Sequence, residues 1–466
     1  MKKGFCIVLL ILLALLLCAC TEQTPRWPGY TGTTEGYTYC HSDPRNREWE
    51  EEILFVADKF LNGHPSLSQK NFVVSVGTFQ EQPETQYTNA LYDEALRKQF
   101  IQGINDLIPR IDGLSSLEIP YEILKIIALL EDPHAMISAG SLEYLPLCFE
   151  PIGTTQEVFL CAVQMPEADA RLLGARLTAI NGIPVEEVVE KLTEYIPHQN
   201  DYWPIYRMTM RSNGRFSELS QKAALQVIGV VGEDAESAEL TFQTPDGTLQ
   251  KTYPFLSEKE IAALELAAHP MITSSTPRFA YESNYWYTIM EGKDGPCLYV
   301  RFLKMLEDSQ YPINNFLTDV ANELRHAPEP MKLIIDFRDN TGGTLYAAAI
   351  NSFTQAVNQY ETAGTYILIN GRSFSSGMRV PYELSIAIDG AKLVGSPAGQ
   401  FVNSFGAALV SYTPNHHLAV YVPDNYLLAE PERDDEAVFP DIPLCQTWED
   451  YQKGIDTVLE YVLSLD

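Results

Sequence analysis

The chain has 466 residues, and at about 150 residues per domain that leaves room for roughly three structural units. Apolar residues make up 45% and charged residues 20%, and 25 Tyr and 20 Phe supply side chains for more than one core, which excludes wholesale disorder. Against 62 Asp and Glu stand only 32 Lys and Arg, a formal charge of −30 with no basic patch, so nucleic acid is set aside as a partner.

Lys2 and Lys3 form a basic leader, and Phe5 to Leu17 is an apolar run too short for a stable membrane span. Leu17-Cys18-Ala19-Cys20 then resembles the lipobox of bacterial lipoprotein signals, which implies cleavage before Cys20 and a lipid on its thiol. A plain secretory signal cut nearby is the alternative; both export the mature protein. The expectation is an extracytoplasmic protein, lipid-anchored to the bacterial cell membrane, with residues 1–20 as signal peptide. Residues 21–48 are rich in Thr, Gly, Pro and Tyr without periodicity and read as a tether. Cys6 and Cys18 leave with the signal, so Cys40, Cys148, Cys161, Cys297 and Cys445 remain, an odd set without metal-ligand spacing. Neither a disulfide framework nor a metal site is expected, and Cys148 and Cys161 read as small buried hydrophobes.

Residues 49–140 are helical by pattern: Trp49, Ile53, Ala57 and Phe60 recur at helical spacing, as do Ile123, Ile126, Ile127 and Leu130. Residues 141–256 change to short β-like runs, two of them joined through Pro245-Asp246-Gly247 in hairpin fashion. Within them Leu172 to Leu192 reads as a strand, an Asn181-Gly182 turn and an amphipathic helix. Residues 257–466 alternate continuous apolar runs ("CLYVRF", "KLIIDFR", "TYILING", "AKLVGS") with helical stretches at Pro312–His326 and Thr344–Val357. That alternation predicts an α/β fold with a mostly parallel sheet buried on both faces.

Two loops at the ends of these strands can bear chemistry. In "DFRDNTGG" a strand ends at Asp336, and Gly342-Gly343 let backbone N–H groups approach a ligand, though the segment is equally a plain turn. In "INGRSFSSGM" Ser373, Ser375 and Ser376 stand at a strand-to-helix turn, where a serine either caps the helix or presents a nucleophile. A serine nucleophile needs a base. His134, in "LLEDPHAMI", follows an apolar helix that ends at Asp132-Pro133 and is a candidate, although a single histidine there is also a common structural residue.

Taken in order, "LIIDFRDNTGG", "LINGRSFSSG", "KLVGSPAGQFVNSFG" and "VFPDIPL…DYQKGIDTVLEYVL" resemble the C-terminal-processing or tail-specific serine peptidase family. "EWEEEILFVADKFLNGHPSL" and "EDPHAMI" resemble the N-terminal segments of its bacterial lipoprotein members. The resemblance implies a ClpP/crotonase-like α/β core behind a helical region, with the Leu172–Leu192 element similar to the part of a PDZ domain beside its peptide groove. It implies Ser375 as nucleophile, with Ser373 as the alternative, and an oxyanion hole from Ser376 and Gly342 or Gly343. In the family's Ser–Lys branch a lysine follows in a Gly-Lys step, but here that step is Gly399-Gln400, and an amide takes no proton at useful pH. Lys392 stands earlier, at the start of the strand. The tricorn-like branch uses a histidine, which His134 matches, oriented by an acid for which Asp434, Glu436 and Asp132 are candidates. An imidazole base gives an acidic limb near about 6.5, with a neighbouring carboxylate expected to shift it upward. Ser396, Ala398, Ala135 and Pro381 depart from the family's pattern without touching Ser375 or His134. The implied activity is a cofactor-free, metal-free serine endopeptidase acting on peptides or proteins. A silent pseudopeptidase binding peptides or envelope components, or hydrolysis of a non-peptide ester or amide, stays open.

Overall fold

The computed structural model describes residues 39–78, 84–140, 142–153, 158–209, 217–273, 276–280, 283–433 and 436–465. The signal run, Cys20 and Asp434 lie outside the described residues. Helix α1 (Pro44–Gly63) starts on Asp43, whose carboxylate accepts the Asn46 N–H, and carries Trp49, Ile53, Ala57 and Phe60 on its buried face. Strands β1 (Phe72–Val76) and β2 (Glu84–Thr88) follow, inside the stretch that reads as helical. The run "FVVSV" is β-branched enough for a strand, but β1 pairs in parallel with a strand over Ala419–Leu428, a partner no local pattern reveals. Helices α2 (Glu94–Leu107) and α3 (Glu118–Ala128) come next; Ile119, Ile123, Ile126 and Ile127 of α3 are buried. The chain then passes Asp132-Pro133-His134 into β3 (Met136–Ile137).

The middle sheet contains β4 (Cys148–Gly153), β5 (Val158–Pro166), β6 (Arg176–Ile180), β7 (Ile183–Pro184), β8 (Ser237–Thr244), β9 (Gly247–Pro254) and β10 (Leu266–Ala268). Its order is β10-β5-β6-β8-β9, with β4 on β5 and β7 on β6, so it runs past residue 256 to include β10. Asn181 and Gly182, both at positive φ, make the tight turn between β6 and β7. Helix α4 (Val185–Thr193) then buries Val185, Val188 and Leu192.

The core sheet is built from β11 (Tyr285–Gly292), β12 (Gly295–Phe302), β13 (Lys332–Asp336), β14 (Thr365–Ile369) and β15 (Lys392–Gly395). β16 (Ser404–Tyr412) and β17 (Ala419–Leu428) leave it, and β18 (Ile442–Pro443) closes it in the order β11-β12-β13-β14-β15-β18. Every pairing from β12 to β18 is parallel; β11 joins β12 as an antiparallel hairpin. Helices α5 (Ile313–His326), α6 (Ala347–Val357) and α7 (Ser376–Ala387) share a core with Leu333 and Ile335. On the other face Ile334, Leu368 and Val394 pack with Val458, Leu459 and Val462 of α8 (Thr457–Ser464). Burial on both faces explains the unbroken apolar runs. β16 and β17 instead form a second sheet with β1 and β2, and β3 pairs with β17. This crossover brings the segment of His134 to the loop that follows β15.

Candidate active site

β13 and β14 end side by side, with Asp336 in register with Leu368, so their loops emerge together. The β13 loop is pinned by a buried ionic network. Asp336 accepts from Tyr299 Oη at 2.8 Å, Arg301 Nη1 at 3.0 Å and Arg338 Nη2 at 2.6 Å, and Arg338 Nη1 continues to Asp456 at 2.7 Å. Burial alone would push the Asp336 carboxyl up, but Arg338 and Arg301 outweigh it and hold it far below its ordinary range. Asp339, ion-paired with Arg278, is held down in the same way against its burial.

Asn340 joins the two loops: its carbonyl accepts the Phe374 N–H at 3.0 Å and its Oδ1 accepts the Gly342 N–H at 2.9 Å. Two glycines permit this nesting. A Cβ on Gly342, at φ +99, would stand 2.7 Å from Ser375 Cβ, and one on Gly377 would stand 2.0 Å from Asn340 O.

Ser375 sits at φ 55, ψ −129, immediately before α7, a backbone state that a non-glycine residue holds only under constraint. Ser373 is fully buried; its hydroxyl donates to Phe337 O and accepts the Asn370 N–H, each at 3.0 Å, so it braces the loop. With the Gly342 N–H engaged by Asn340, the Ser376 and Gly343 N–H groups are left without an acceptor among the described residues. Ser376 directly follows Ser375, and Gly343 directly follows Gly342, the glycine packed against Ser375 Cβ.

Gln400, fully buried, ties the Ser375 loop to the His134 imidazole. Its Oε1 accepts the Ser375 N–H at 2.9 Å, and its Nε2 donates to Phe405 O at 3.0 Å. These two bonds fix which way the amide points, so Nε2 also faces His134 Nδ1, at 3.3 Å, as a donor. The neutral ring then accepts at Nδ1 and carries its proton on Nε2, which is buried without a partner. The His134 ring leans on Phe374 at 4.5 Å between centroids. Burial pushes its pKa below the usual imidazole range, and the Asp132 carboxylate only partly offsets this, so the upward shift expected from a neighbouring acid is not the net outcome.

Asp132 is the only carboxylate among the described residues within 4.0 Å of a His134 ring nitrogen: Oδ1 lies 3.8 Å from Nδ1 and accepts the His134 N–H at 2.9 Å. Glu436 is exposed and paired with Arg433 at 2.9 Å, and is not brought to His134. Lys392 is exposed at the start of β15 in register with Tyr366, at the end of the strand opposite Gly395 and the serine loop. Pro381 lies inside α7, which runs through it. In the sequence Gln400 reads only as a missing lysine; its amide bridge depends on Phe405, Ser375 and His134 meeting in space. Among the described residues no group of three or more His, Cys, Asp or Glu is arranged to hold a metal ion, and no helix is long and apolar enough to cross a membrane.

No family model matches the chain, and no curated protein matches it by sequence. Among solved structures, mature CPAF complexed with lactacystin superposes with a TM-score of 0.59 at 13% identity, covering 90% of this chain and 97% of that one. The fold is that of CPAF. Mature CPAF in a second structure matches with a TM-score of 0.56 at 12% identity, over 90% of this chain and 96% of that one. The tricorn protease matches at 0.40 with 12% identity, over 90% of this chain and 36% of its own. Coverage of 90% means that the likeness to CPAF takes in the N-terminal helices and the middle sheet as well as the core.

Proposed function

We propose that this chain is a serine endopeptidase of the C-terminal-processing type, held to the outer face of the cell membrane by a lipid on Cys20. The observation that carries the reading is Ser375: a serine in a constrained backbone state at a helix start, packed against Gly342 and joined through Gln400 to a buried imidazole. The CPAF fold supports it. In this reading Ser375 Oγ attacks the peptide carbonyl while His134 takes its proton and returns it to the leaving amine. The Ser376 and Gly343 amides hold the oxyanion, each contributing about 2.7–4 kcal/mol in the transition state. For Nε2 to accept a proton the ring must carry its own on Nδ1, facing Asp132, so turnover requires Nδ1 to exchange Gln400 for Asp132. The Leu172–Leu192 element serves as a PDZ-like groove for the substrate chain.

A silent peptide-binding protein is the second reading, favoured by the donor that Gln400 places on Nδ1. Wild type, Ser375→Ala, His134→Ala and Lys392→Ala, assayed on one peptide with folding checked by circular dichroism, separate the two. The peptidase reading expects His134→Ala to lose as much activity as Ser375→Ala, and Lys392→Ala to lose little. Retained activity in His134→Ala alongside loss in Lys392→Ala removes the histidine, and a wild type inert on every peptide and ester installs the binding reading. For the anchor, Cys20→Ser should abolish fatty-acid labelling; equal labelling of variant and wild type rejects it.

A further inference from the structure

A second imidazole lies behind the site. His64 follows α1, where its backbone N–H bonds Phe60 O, and its side chain is fully buried. Its Nδ1 accepts the Ser66 N–H at 3.2 Å, so the neutral ring carries its proton on Nε2 and donates it to Asp132 Oδ2 at 3.1 Å. Asp132, also fully buried, turns its other oxygen to His134. The His64 ring packs 4.7 Å from that of Phe405, whose carbonyl holds Gln400.

On the peptidase reading above, we propose that His64 is a positioning residue: its Nε2–H fixes the Asp132 carboxylate so that Oδ1 stays turned to the imidazole of His134. Helix termination explains the backbone of His64 but not the side chain, whose proton is spent on the one carboxylate beside His134. A carboxylate held on both oxygens has one orientation; with one holder gone it can rotate about its Cβ–Cγ bond and deny Nδ1 the acceptor that turnover requires once the ring carries its proton there. Around His134 stand Asp132, the Gln400 amide and Phe374; around His64 stand Asp132, the Ser66 N–H and Phe405. No second carboxylate among the described residues lies within 4.0 Å of either ring nitrogen to substitute for Asp132.

The test compares His64→Leu, which removes the donor, with His64→Gln, whose amide N–H stands near the position of Nε2. In the full chain, His64→Leu should lower kcat by about 100-fold, the cost of misplacing a catalytic group by about 1 Å, with KM changed less than about twofold. His64→Gln should recover most of kcat. Independently of turnover, the ¹⁵N signals of the His134 ring in histidine-labelled protein should titrate at lower pH in His64→Leu, because the charge that raises its pKa has turned away, and return toward wild type in His64→Gln. If His64→Leu does not fold, Asp132→Asn must move kcat and the His134 midpoint in the same directions. Unchanged kcat and midpoint in His64→Leu overturns the assignment, as does an equal fall in both His64 variants, which would mark packing rather than the N–H. A wild type without turnover whose His134 midpoint still moves as stated sinks the peptidase reading and leaves the positioning role supported.

Discussion

Gln400→Leu removes a side-chain amide that is itself fully buried. The Ser375 N–H and the Phe405 carbonyl lose their partners at 2.9 and 3.0 Å, and leucine offers neither a donor nor an acceptor. A buried group left unpaired costs about 1–3 kcal/mol; with the half-buried Ser375 N–H nearer the lower end, the two together cost about 2–6 kcal/mol. At roughly 2 °C per kcal/mol for a long chain, thermal unfolding should begin about 4–12 °C lower. Activity should fall as well, because the N–H that Gln400 holds belongs to the strained Ser375 itself. Gln400→Glu separates the roles. Its carboxylate still accepts the Ser375 N–H but cannot donate to Phe405, and it places a negative charge beside His134. The acidic limb of kcat/KM should therefore move up in pH relative to wild type, since a nearby anion favours the imidazolium. Differential scanning fluorimetry and a pH–rate profile read both effects. A Gln400→Leu protein that melts within about 1 °C of wild type and keeps its activity would refute the reasoning, since even one unpaired group should shift it further.

Arg301→Met breaks a fully buried pair with Asp336 and should destabilise the chain by about 3–5 kcal/mol in denaturant titrations; a loss under about 1 kcal/mol would contradict the network's role. Acid should act through the same network. Asp336, Asp339 and Asp456 have folded pKa values below their unfolded ones, so their stabilisation is present above about pH 4 and lost as pH falls through the lower folded values. Melting temperature should decline below about pH 4, and Asp456→Asn should flatten that decline; an unchanged slope argues against it. Gly377→Ala drives a Cβ to 2.0 Å from Asn340 O and must part the two loops, so kcat/KM should drop about 100-fold or more, whereas half of wild-type activity would show that the loops need not nest so closely.

Much of this arrangement is visible in local sequence. Leu333–Ile335 and Ile367–Ile369 are apolar because both faces of β13 and β14 are covered, and the parallel pairing this implies places the glycine and serine loops at one end of the sheet. Asn181-Gly182 marks its turn because both residues need positive φ. What stays hidden depends on contacts across hundreds of residues. Phe72–Val76 is a strand because β17 pairs with it, and Gln400 becomes a bridge only because the β16–β17 crossover sets His134 and Phe405 around it. His64 reads locally as the end of a helix, and its second role exists only once Asp132 folds against it.

The central claim is that Ser375 is an activated nucleophile. The most direct measurement is covalent labelling of the purified protein by a fluorophosphonate, with the modified residue located by peptide mass spectrometry. The label should fall on Ser375, be absent from Ser375→Ala, be strongly slowed in His134→Ala and be unchanged in Lys392→Ala. No label on wild type, or a label on Ser373 in its place, would contradict it.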